Sequence, residues 1–153
     1  MSDVSIAIVE AEISRELRRS VLRPALPVGS PLPGDSDAGV RHLAAFVGQQ
    51  LVSACLIFPE PCPWLPDRPA WRLRGMATDP AHRGTGAGAA ILGAASEIAG
   101  NGGASILWCQ ARQTAIGFYA RHGWRQTGTL FDTEIGPHLR MWFELGTGRS
   151  PRD

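Results

Sequence analysis

The stretch that decides the fold is Met76-Ala77-Thr78-Asp79-Pro80-Ala81-His82-Arg83-Gly84-Thr85-Gly86-Ala87-Gly88-Ala89. An apolar run at 71–77 leads into it and predicts a strand, and a run of small residues at 87–99 leads out and predicts a helix. The three glycines between them carry no Cβ, so the backbone can approach a ligand closely. The helix start adds unpaired N–H groups and the positive end of the helix dipole. The stretch therefore predicts an anion site for a phosphate or pyrophosphate, with a plain strand-to-helix turn as the alternative.

The stretch lacks the features of two common nucleotide-binding loops, which limits the kinds of phosphate site that it can form. All 15 basic residues of the chain are arginine, so the lysine of a Walker loop is missing. The spacing Gly84-x-Gly86-x-Gly88 also differs from the G-x-G-x-x-G of dinucleotide-binding folds. The two commonest nucleotide loops are therefore excluded.

Two motifs resemble those of the GNAT superfamily of N-acetyltransferases. Arg83-x-x-Gly86-x-Gly88 resembles the R-x-x-G-x-G loop of that family. Downstream, Ala111-Arg112-Gln113-Thr114-Ala115-Ile116-Gly117-Phe118-Tyr119-Ala120-Arg121-His122-Gly123-Trp124 resembles the family's A-N/R-x-x-A-x-x-F-Y-x-x-x-G-F segment. Since both occur in the expected order and at the expected distance, the chain is identified as a member of the superfamily.

Periodicity along the chain predicts a mixed α/β order of strands and helices. The predicted strands are 4–9, 41–47, 51–58, 70–77, 105–111, 124–131 and 139–145, and the predicted helices are 12–22, 87–99 and 114–122. The last two strands are predicted to be joined through Ile135-Gly136-Pro137-His138. The resemblance implies a GNAT-like fold with a central mixed, mostly antiparallel sheet and helices on both faces. It also implies that strands 70–77 and 105–111 are parallel and splay apart.

Length and composition predict one acyltransferase domain over 1–145, followed by a disordered tail at 146–153. A net charge of +1 gives no support for a nucleic-acid partner. Neither a signal peptide nor an apolar run of 18 residues is visible, so no membrane association is expected. Cys55, Cys62 and Cys109 are odd in number and lack metal-ligand spacing, which predicts no metal site and a reducing, cytoplasmic location. Cys55 and Cys109 lie in apolar strand-like runs, which predicts that they pack in the core.

Helix 12–22 carries an apolar stripe, Ile13, Leu17 and Val21, and a basic face with Arg15, Arg18 and Arg19. That basic face is expected to be solvated, or else to supply one or two arginines to an acceptor pocket. The following segment, 23–39, is rich in proline and glycine and therefore predicts an irregular loop. By resemblance, this region lies over the acceptor site and determines specificity. Gly75 is predicted to mark a bulge in strand 70–77.

The resemblance implies a set of acetyl-CoA contacts. Backbone groups of Met76 and Thr78 are expected to pair with the pantetheine arm, and an N–H near Met76 or Ala77 is expected to polarise the thioester carbonyl. Loop amides are expected to hold the pyrophosphate, with a further contact from the Arg83 side chain. The full predicted set is Met76, Ala77, Thr78, Arg83, Gly84, Thr85, Gly86, Ala87, Gly88, Ala89, Arg112 and Tyr119. Arg112 stands where many relatives have Asn, so a salt bridge at the helix start is an equal alternative for it.

Three residues are predicted to carry the chemistry. Tyr119 is the single tyrosine of the chain and matches the family tyrosine that protonates the departing thiolate. The candidate bases for the amine are His138, since histidine titrates in the working range, and then Glu134 through water. His42 and Asp35 follow them as weaker candidates.

The predicted function is direct transfer of an acetyl group from acetyl-CoA to a primary amine of a small molecule or peptide. The alternative is an acyl-CoA-binding sensor or interaction domain without turnover, and a small kinase is a remoter one. Arg18, Arg23, Arg72, Arg74 and His138 are candidate pocket residues and mostly cationic, which favours an acceptor with an anionic group beside its amine. Edge strands of such a sheet also favour a homodimer.

Overall fold

The computed structural model describes residues 3–146 of the chain. Within that span it has seven β-strands and three α-helices. They are β1 (Val4–Val9), α1 (Ala11–Leu22), β2 (Arg41–Val47), β3 (Gln50–Pro59), β4 (Ala70–Thr78), α2 (Ala87–Asn101), β5 (Ile106–Arg112), α3 (Ile116–Arg121), β6 (Arg125–Thr133) and β7 (Gly136–Glu144). Every strand and helix predicted from the sequence is present, with ends that differ by a few residues. The predicted tail falls almost wholly on 147–153, which lie outside the described residues.

The strands form one sheet in the order β1-β2-β3-β4-β5-β7-β6. The pairs β1–β2, β2–β3, β5–β7 and β6–β7 are antiparallel. The pair β4–β5 is parallel, with a register that covers Ala70–Arg72 and Ile106–Trp108. The prediction of a mixed, mostly antiparallel sheet is confirmed. The predicted parallel pairing of β4 with β5 is also present, over part of the two strands.

The chain divides into two compact units, each made of two segments. The first unit comprises residues 3–58 and 73–97, and the second comprises 59–72 and 98–146. The prediction of a single domain over 1–145 stays a prediction.

In the first unit the core lies on β2 and β3. From Val52 to Ile57, every residue of β3 is fully buried, as expected for a central strand covered on both faces. The small-residue helix α2 adds Ile91 and Ala95, both fully buried, to this core. Burial raises the pKa of the Cys55 thiol to about 12, so this cysteine is a neutral packing residue.

In the second unit the core forms around Trp108, with Cys62 and Ile106 beside it. The end of α2 is fixed here, where Ala104 N–H donates to the Ala99 carbonyl and Gly103 adopts a φ of +99°. At Gly102 a Cβ would stand 2.6 Å from the Trp71 ring, so the indole packs directly on the glycine backbone. All three cysteines of the chain are free and buried, which confirms the packing role predicted for Cys55 and Cys109.

Three local predictions are wrong. The last two strands are joined at Glu134 and Ile135, and β7 already begins at Gly136, because Gly136 and Pro137 pair with Thr133 and Asp132. His138 therefore lies in a strand. The predicted helix 114–122 begins as a 3₁₀ turn, Gln113–Ala115, and becomes α-helical only at Ile116.

The third error concerns the basic face of α1. Arg18 is 1% exposed and Arg19 8% exposed, whereas Ile13 is 51% exposed. Arg18 and Arg19 face the interior because carboxylates and carbonyl oxygens accept hydrogen bonds from them there. Arg18 pairs with Asp35, and Arg19 pairs with Glu16 and the Leu26 carbonyl. An apolar stripe alone does not decide which face of a short helix is buried.

Candidate active site

The end of β4 is fixed by a serine on the neighbouring strand β3. The fully buried Ser53 hydroxyl donates to the Ala77 carbonyl at 3.0 Å and lies 2.9 Å from the Thr78 hydroxyl. One residue later, the Asp79 N–H donates to the Val52 carbonyl at 2.8 Å. The backbone around Met76–Thr78 is therefore held in place on one side, as a template for an extended ligand must be.

Residues 79–89, here called the glycine loop, begin with a capped turn. The Asp79 carboxylate accepts the Ala81 N–H at 3.1 Å and thereby starts the 3₁₀ turn Pro80–His82. The Thr85 hydroxyl donates to the His82 carbonyl and closes the turn. These contacts fix the entry to the loop, and the Arg83 N–H adds a long hydrogen bond to the Pro80 carbonyl at 3.5 Å.

The glycines of this loop have the backbone that their residue type permits. Gly84 and Gly86 have φ of +81° and +93°, a region that other residues rarely adopt. A Cβ at either position would meet nothing within 4 Å, so the space outside the loop is open. Glycine is needed at these positions because of the positive φ. Since no neighbouring part of the chain fills the space outside, the loop backbone is also accessible to a ligand.

Helix α2 begins at Ala87 and makes its first intrahelical hydrogen bond from Ala90 N–H to the Gly86 carbonyl at 3.0 Å. The amides of the first turn have no acceptor inside an α-helix. The first turn of α2 carries no acidic side chain. Among the described residues, no carboxylate lies within ion-pair distance of Arg83. The loop thus presents N–H groups, a helix dipole and an exposed cation to an anion.

In the second unit Tyr119 is buried, at 3% exposed. Its ring lies 4.9 Å from that of Trp124 and 5.3 Å from that of Phe118. Its hydroxyl forms a hydrogen bond with the Cys109 side chain on β5. Burial raises the pKa of Cys109 far more than this hydrogen bond lowers it, so the partner of the hydroxyl is a neutral thiol. The phenol is oriented by ring packing and by its hydrogen bond with a neutral thiol.

His138 lies on β7 opposite Arg112, the last residue of β5. It is 6% exposed, and its Nδ1 lies 2.9 Å from the Gly136 carbonyl oxygen and 3.2 Å from the Thr133 hydroxyl. A carbonyl oxygen can only accept, so Nδ1 carries the proton in the neutral ring. Nε2 is then the nitrogen with the free lone pair, as a base requires. Glu134 is exposed in the turn that precedes β7.

The two weaker base candidates meet in the first unit. The His42 ring is 4% exposed, and its Nε2 donates to the Asp35 carbonyl oxygen at 3.3 Å. Nδ1 is buried and has no hydrogen-bond partner among the described residues. Burial lowers the pKa of His42, and the nearby Arg18 lowers it further, so the ring is neutral at pH 7. The Asp35 carboxylate is occupied by arginines, which makes it a poor base.

The predicted site residues thus fall into two groups. The first unit holds Met76, Thr78 and the glycine loop, and the second holds Tyr119, Arg112 and His138. Sequence reasoning missed Ser53 and the link from Cys109 to Tyr119. In the sequence, Ser53 could have been noticed because it places a hydroxyl group inside the apolar run 51–58.

Two of the arginines predicted to attract an anionic acceptor are already paired with carboxylates. Arg18 pairs with Asp35 at 2.7 Å. Arg72 pairs with Glu60 at 3.2 Å, and its guanidinium lies 4.7 Å from the Trp108 ring centroid. Both guanidinium groups are already engaged by protein carboxylates, so these two side chains add little support for an anionic acceptor.

Within residues 3–146, no helix has the length and hydrophobicity needed to span a membrane.

Comparison with known proteins gives one family and several relatives. The family model described as Acetyltransferase (GNAT) family matches residues 11–124. The N-acetyltransferase YitI of Bacillus subtilis, itself uncharacterized, is 32% identical over 148 residues, which cover 95% of this chain and 99% of YitI.

Solved structures share the fold. FeeM, an N-acyl amino acid synthase from uncultured soil microbes, superposes with a TM-score of 0.76 at 14% identity, covering 98% of this chain and 95% of FeeM. An aminoglycoside 6'-N-acetyltransferase complexed with coenzyme A superposes with a TM-score of 0.70 at 12% identity, covering 93% of this chain and 97% of that enzyme. At such identities the similarity concerns the fold alone.

Proposed function

The chain belongs to the GNAT family of acetyltransferases, and from that premise we propose how its residues carry an acetyl group from acetyl-CoA to a primary amine. The family relationship makes the chain an N-acetyltransferase, and GNAT enzymes use acetyl-CoA and act on small-molecule amine acceptors. The observation that carries the proposal is the glycine loop. Open space outside Gly84 and Gly86, next to a helix start without an acidic residue, is what a pyrophosphate requires.

For this chain we assign acetyl-CoA binding to the backbone. Backbone groups of Met76 and Thr78 pair with the pantetheine arm, while an N–H near Met76 or Ala77 polarises the thioester carbonyl. The amides of residues 83–89 and the Arg83 guanidinium bind the pyrophosphate, and Arg112 contacts the cofactor from the end of β5. One such backbone donor to the developing oxyanion is worth about 3 kcal/mol of barrier lowering.

Proton transfers are assigned to buried side chains. His138 Nε2 takes a proton from the acceptor ammonium, so the amine nitrogen can form its bond to the carbonyl carbon as the carbon–sulfur bond breaks. Tyr119 gives its hydroxyl proton to the departing sulfur, and the nitrogen of the new amide releases its remaining extra proton to the phenolate, which restores Tyr119. The neutral Cys109 thiol beside Tyr119 supports this role, because it does not compete for the proton. Glu134 is the second candidate base, acting through water. The products are the acetylated amine and CoA, with no covalent intermediate on the enzyme.

The acceptor we propose is a small amine with an anionic group nearby, such as an amino acid derivative. Support for it comes from the mostly cationic set of candidate pocket residues in the sequence, Arg23, Arg74 and His138 among them. A release assay for CoA thiol, run on a panel of amino acids and polyamines, tests it. Preference for an amino acid supports the proposal, and preference for spermidine contradicts it. Acetyl-CoA binding without thiol release from any amine would contradict the proposed transfer itself.

Assembly and location are further parts of the proposal. The edge strands of the sheet are β1 and β6, and Ile8 on β1 is 58% exposed, which supports a homodimer. Light scattering after size-exclusion chromatography measures the mass, and a monomer at micromolar concentration contradicts the dimer. A cytoplasmic location is supported by three buried free thiols.

A further inference from the structure

Helix α1 buries an arginine that is held at three points. Arg18 Nε donates to the Ser14 hydroxyl at 3.0 Å, Nη1 donates to Asp35 Oδ1 at 2.7 Å, and Nη2 donates to the Ala11 carbonyl at 3.2 Å. The side chain is only 1% exposed. Burying a charge is costly unless it is paired and hydrogen-bonded, so this guanidinium has little freedom to move.

Asp35 connects that arginine to the irregular loop between α1 and β2. Its second carboxylate oxygen accepts from Arg15 Nε at 3.0 Å, and its side chain is 6% exposed. Burial by itself would raise the pKa of Asp35, but the hydrogen bonds from Arg18 and Arg15 outweigh it and hold the pKa below its ordinary value. The carboxylate is therefore ionised at neutral pH. Arg15, Arg18 and Asp35 are called the arginine clamp below.

The clamp ends against Gly75 of β4. Gly75 has a φ of +62°, and a Cβ placed there would stand 3.2 Å from Arg18 Cδ and 3.0 Å from Leu56 Cδ2. The same Cβ position is 3.9 Å from Arg18 Nη1. The stem of Arg18 and the Leu56 side chain therefore occupy the space that a side chain at position 75 would need. Arg18 thus packs against β4 at the one position of that strand that has no side chain.

We propose that Arg18, held by Asp35, is a positioning residue for acetyl transfer. It supports the β4 backbone at Gly75 and thereby fixes the direction of the N–H groups of Met76 and Ala77. This inference rests on the proposed function, in which those N–H groups polarise the thioester carbonyl. Arg18 itself touches no reacting atom. Its effect is on turnover, because a donor that is displaced by about 1 Å can cost roughly 100-fold in rate.

The test compares two conservative variants with a matched control. Arg18→Lys keeps the charge but cannot make the three-point contact, and Asp35→Asn keeps the shape but removes the charge. Glu16→Gln breaks the Arg19–Glu16 pair on the same helix, where the carboxylate is 57% exposed. We expect kcat to fall about tenfold or more in both clamp variants, with the KM for acetyl-CoA changed less than about twofold, and no change in Glu16→Gln. Thermal unfolding shows which variants remain folded at the assay temperature.

A second readout does not depend on turnover. Amide NMR signals of Gly75, Met76 and Ala77 are expected to shift in Arg18→Lys and to stay in place in Glu16→Gln. Wild-type kcat in either clamp variant that remains folded overturns the inference, and so do unmoved signals at these three amides. If no amine is acetylated by the unaltered protein and the signals nevertheless shift, the support of β4 stands and the proposed function fails. The two claims can thus fail separately.

Discussion

The glycine loop and the pair of proton-transfer residues are built in opposite ways. The loop is exposed and presents backbone groups to a ligand. Its Gly84 and Gly86 have the positive φ that glycine readily adopts. Tyr119 and His138 are 3% and 6% exposed and offer single side-chain atoms. Binding through amides is sensitive to backbone conformation and charge, whereas proton transfer is sensitive to one oxygen or one nitrogen. Substitutions should therefore separate binding from turnover. The first three predictions below test this separation, and the fourth concerns stability.

The largest effect is expected in the loop. Gly86→Glu forces a side chain onto a φ of +93° and adds a negative charge beside the pyrophosphate. We expect the Kd for acetyl-CoA to rise about 100-fold, which corresponds to roughly two charge-assisted hydrogen bonds. Isothermal titration calorimetry measures it.

A matched control separates the local effect from general strain. Gly128→Glu in β6 introduces the same side chain at a φ of +74°, also with nothing within 4 Å. It should retain wild-type affinity. Equal losses of affinity in the two variants would show that backbone strain, and not the loop, explains the result.

The next largest effect is expected at the base. His138→Gln keeps a polar side chain but removes the imidazole lone pair, and general bases contribute about 100-fold or more to rate. We expect kcat to fall by that amount in steady-state assays with acetyl-CoA and the amine. His122→Gln, at an exposed histidine of α3, is the control. A wild-type kcat in His138→Gln would move the role to Glu134.

A smaller effect is expected at the acid. Tyr119→Phe retains the packing on Trp124 and Phe118 but removes the proton, so we expect kcat to fall about tenfold while the Kd for acetyl-CoA stays nearly constant. Stopped-flow turnover and calorimetry on the same preparation check both numbers. Wild-type turnover would remove Tyr119 from the mechanism, and a large loss of affinity would make it a binding residue.

The smallest effect concerns stability alone, at His42. Because burial lowers its pKa in the folded chain, the unfolded chain takes up a proton first as the pH falls below the ordinary value of about 6.5. The free energy of unfolding therefore falls as the pH falls through that region. Urea titrations at pH 7 and pH 5 should show a smaller pH effect in His42→Gln than in the wild type. An equal effect in both would mean that other groups titrate there.

Sequence reasoning predicted the fold because strands and helices depend on local patterns, and the anion site at the glycine loop, inferred from the same kind of pattern, stays a prediction. Alternating apolar residues predict the strands, and glycines at fixed spacing before a small-residue helix predict the anion site. The inward arginines of α1 were not predictable in this way. Arg18 is buried because Asp35, seventeen positions later in an irregular loop, meets it, and no periodicity reports such a pairing. The tautomer of His138 depends on the carbonyl of Gly136, two residues earlier in β7, and this contact was not predicted because the sequence placed both residues in a turn.

The most direct test of the account is calorimetric titration of the unaltered protein with acetyl-CoA, with CoA and ATP as comparisons. The account predicts a Kd for acetyl-CoA of roughly micromolar, about −8 kcal/mol, with CoA binding similarly because both carry the pyrophosphate. ATP lacks the pantetheine arm that β4 is proposed to pair with, so it should bind much more weakly. If neither acetyl-CoA nor CoA bound, or if ATP bound as tightly, the glycine loop would not be a CoA site and the central claim would be contradicted.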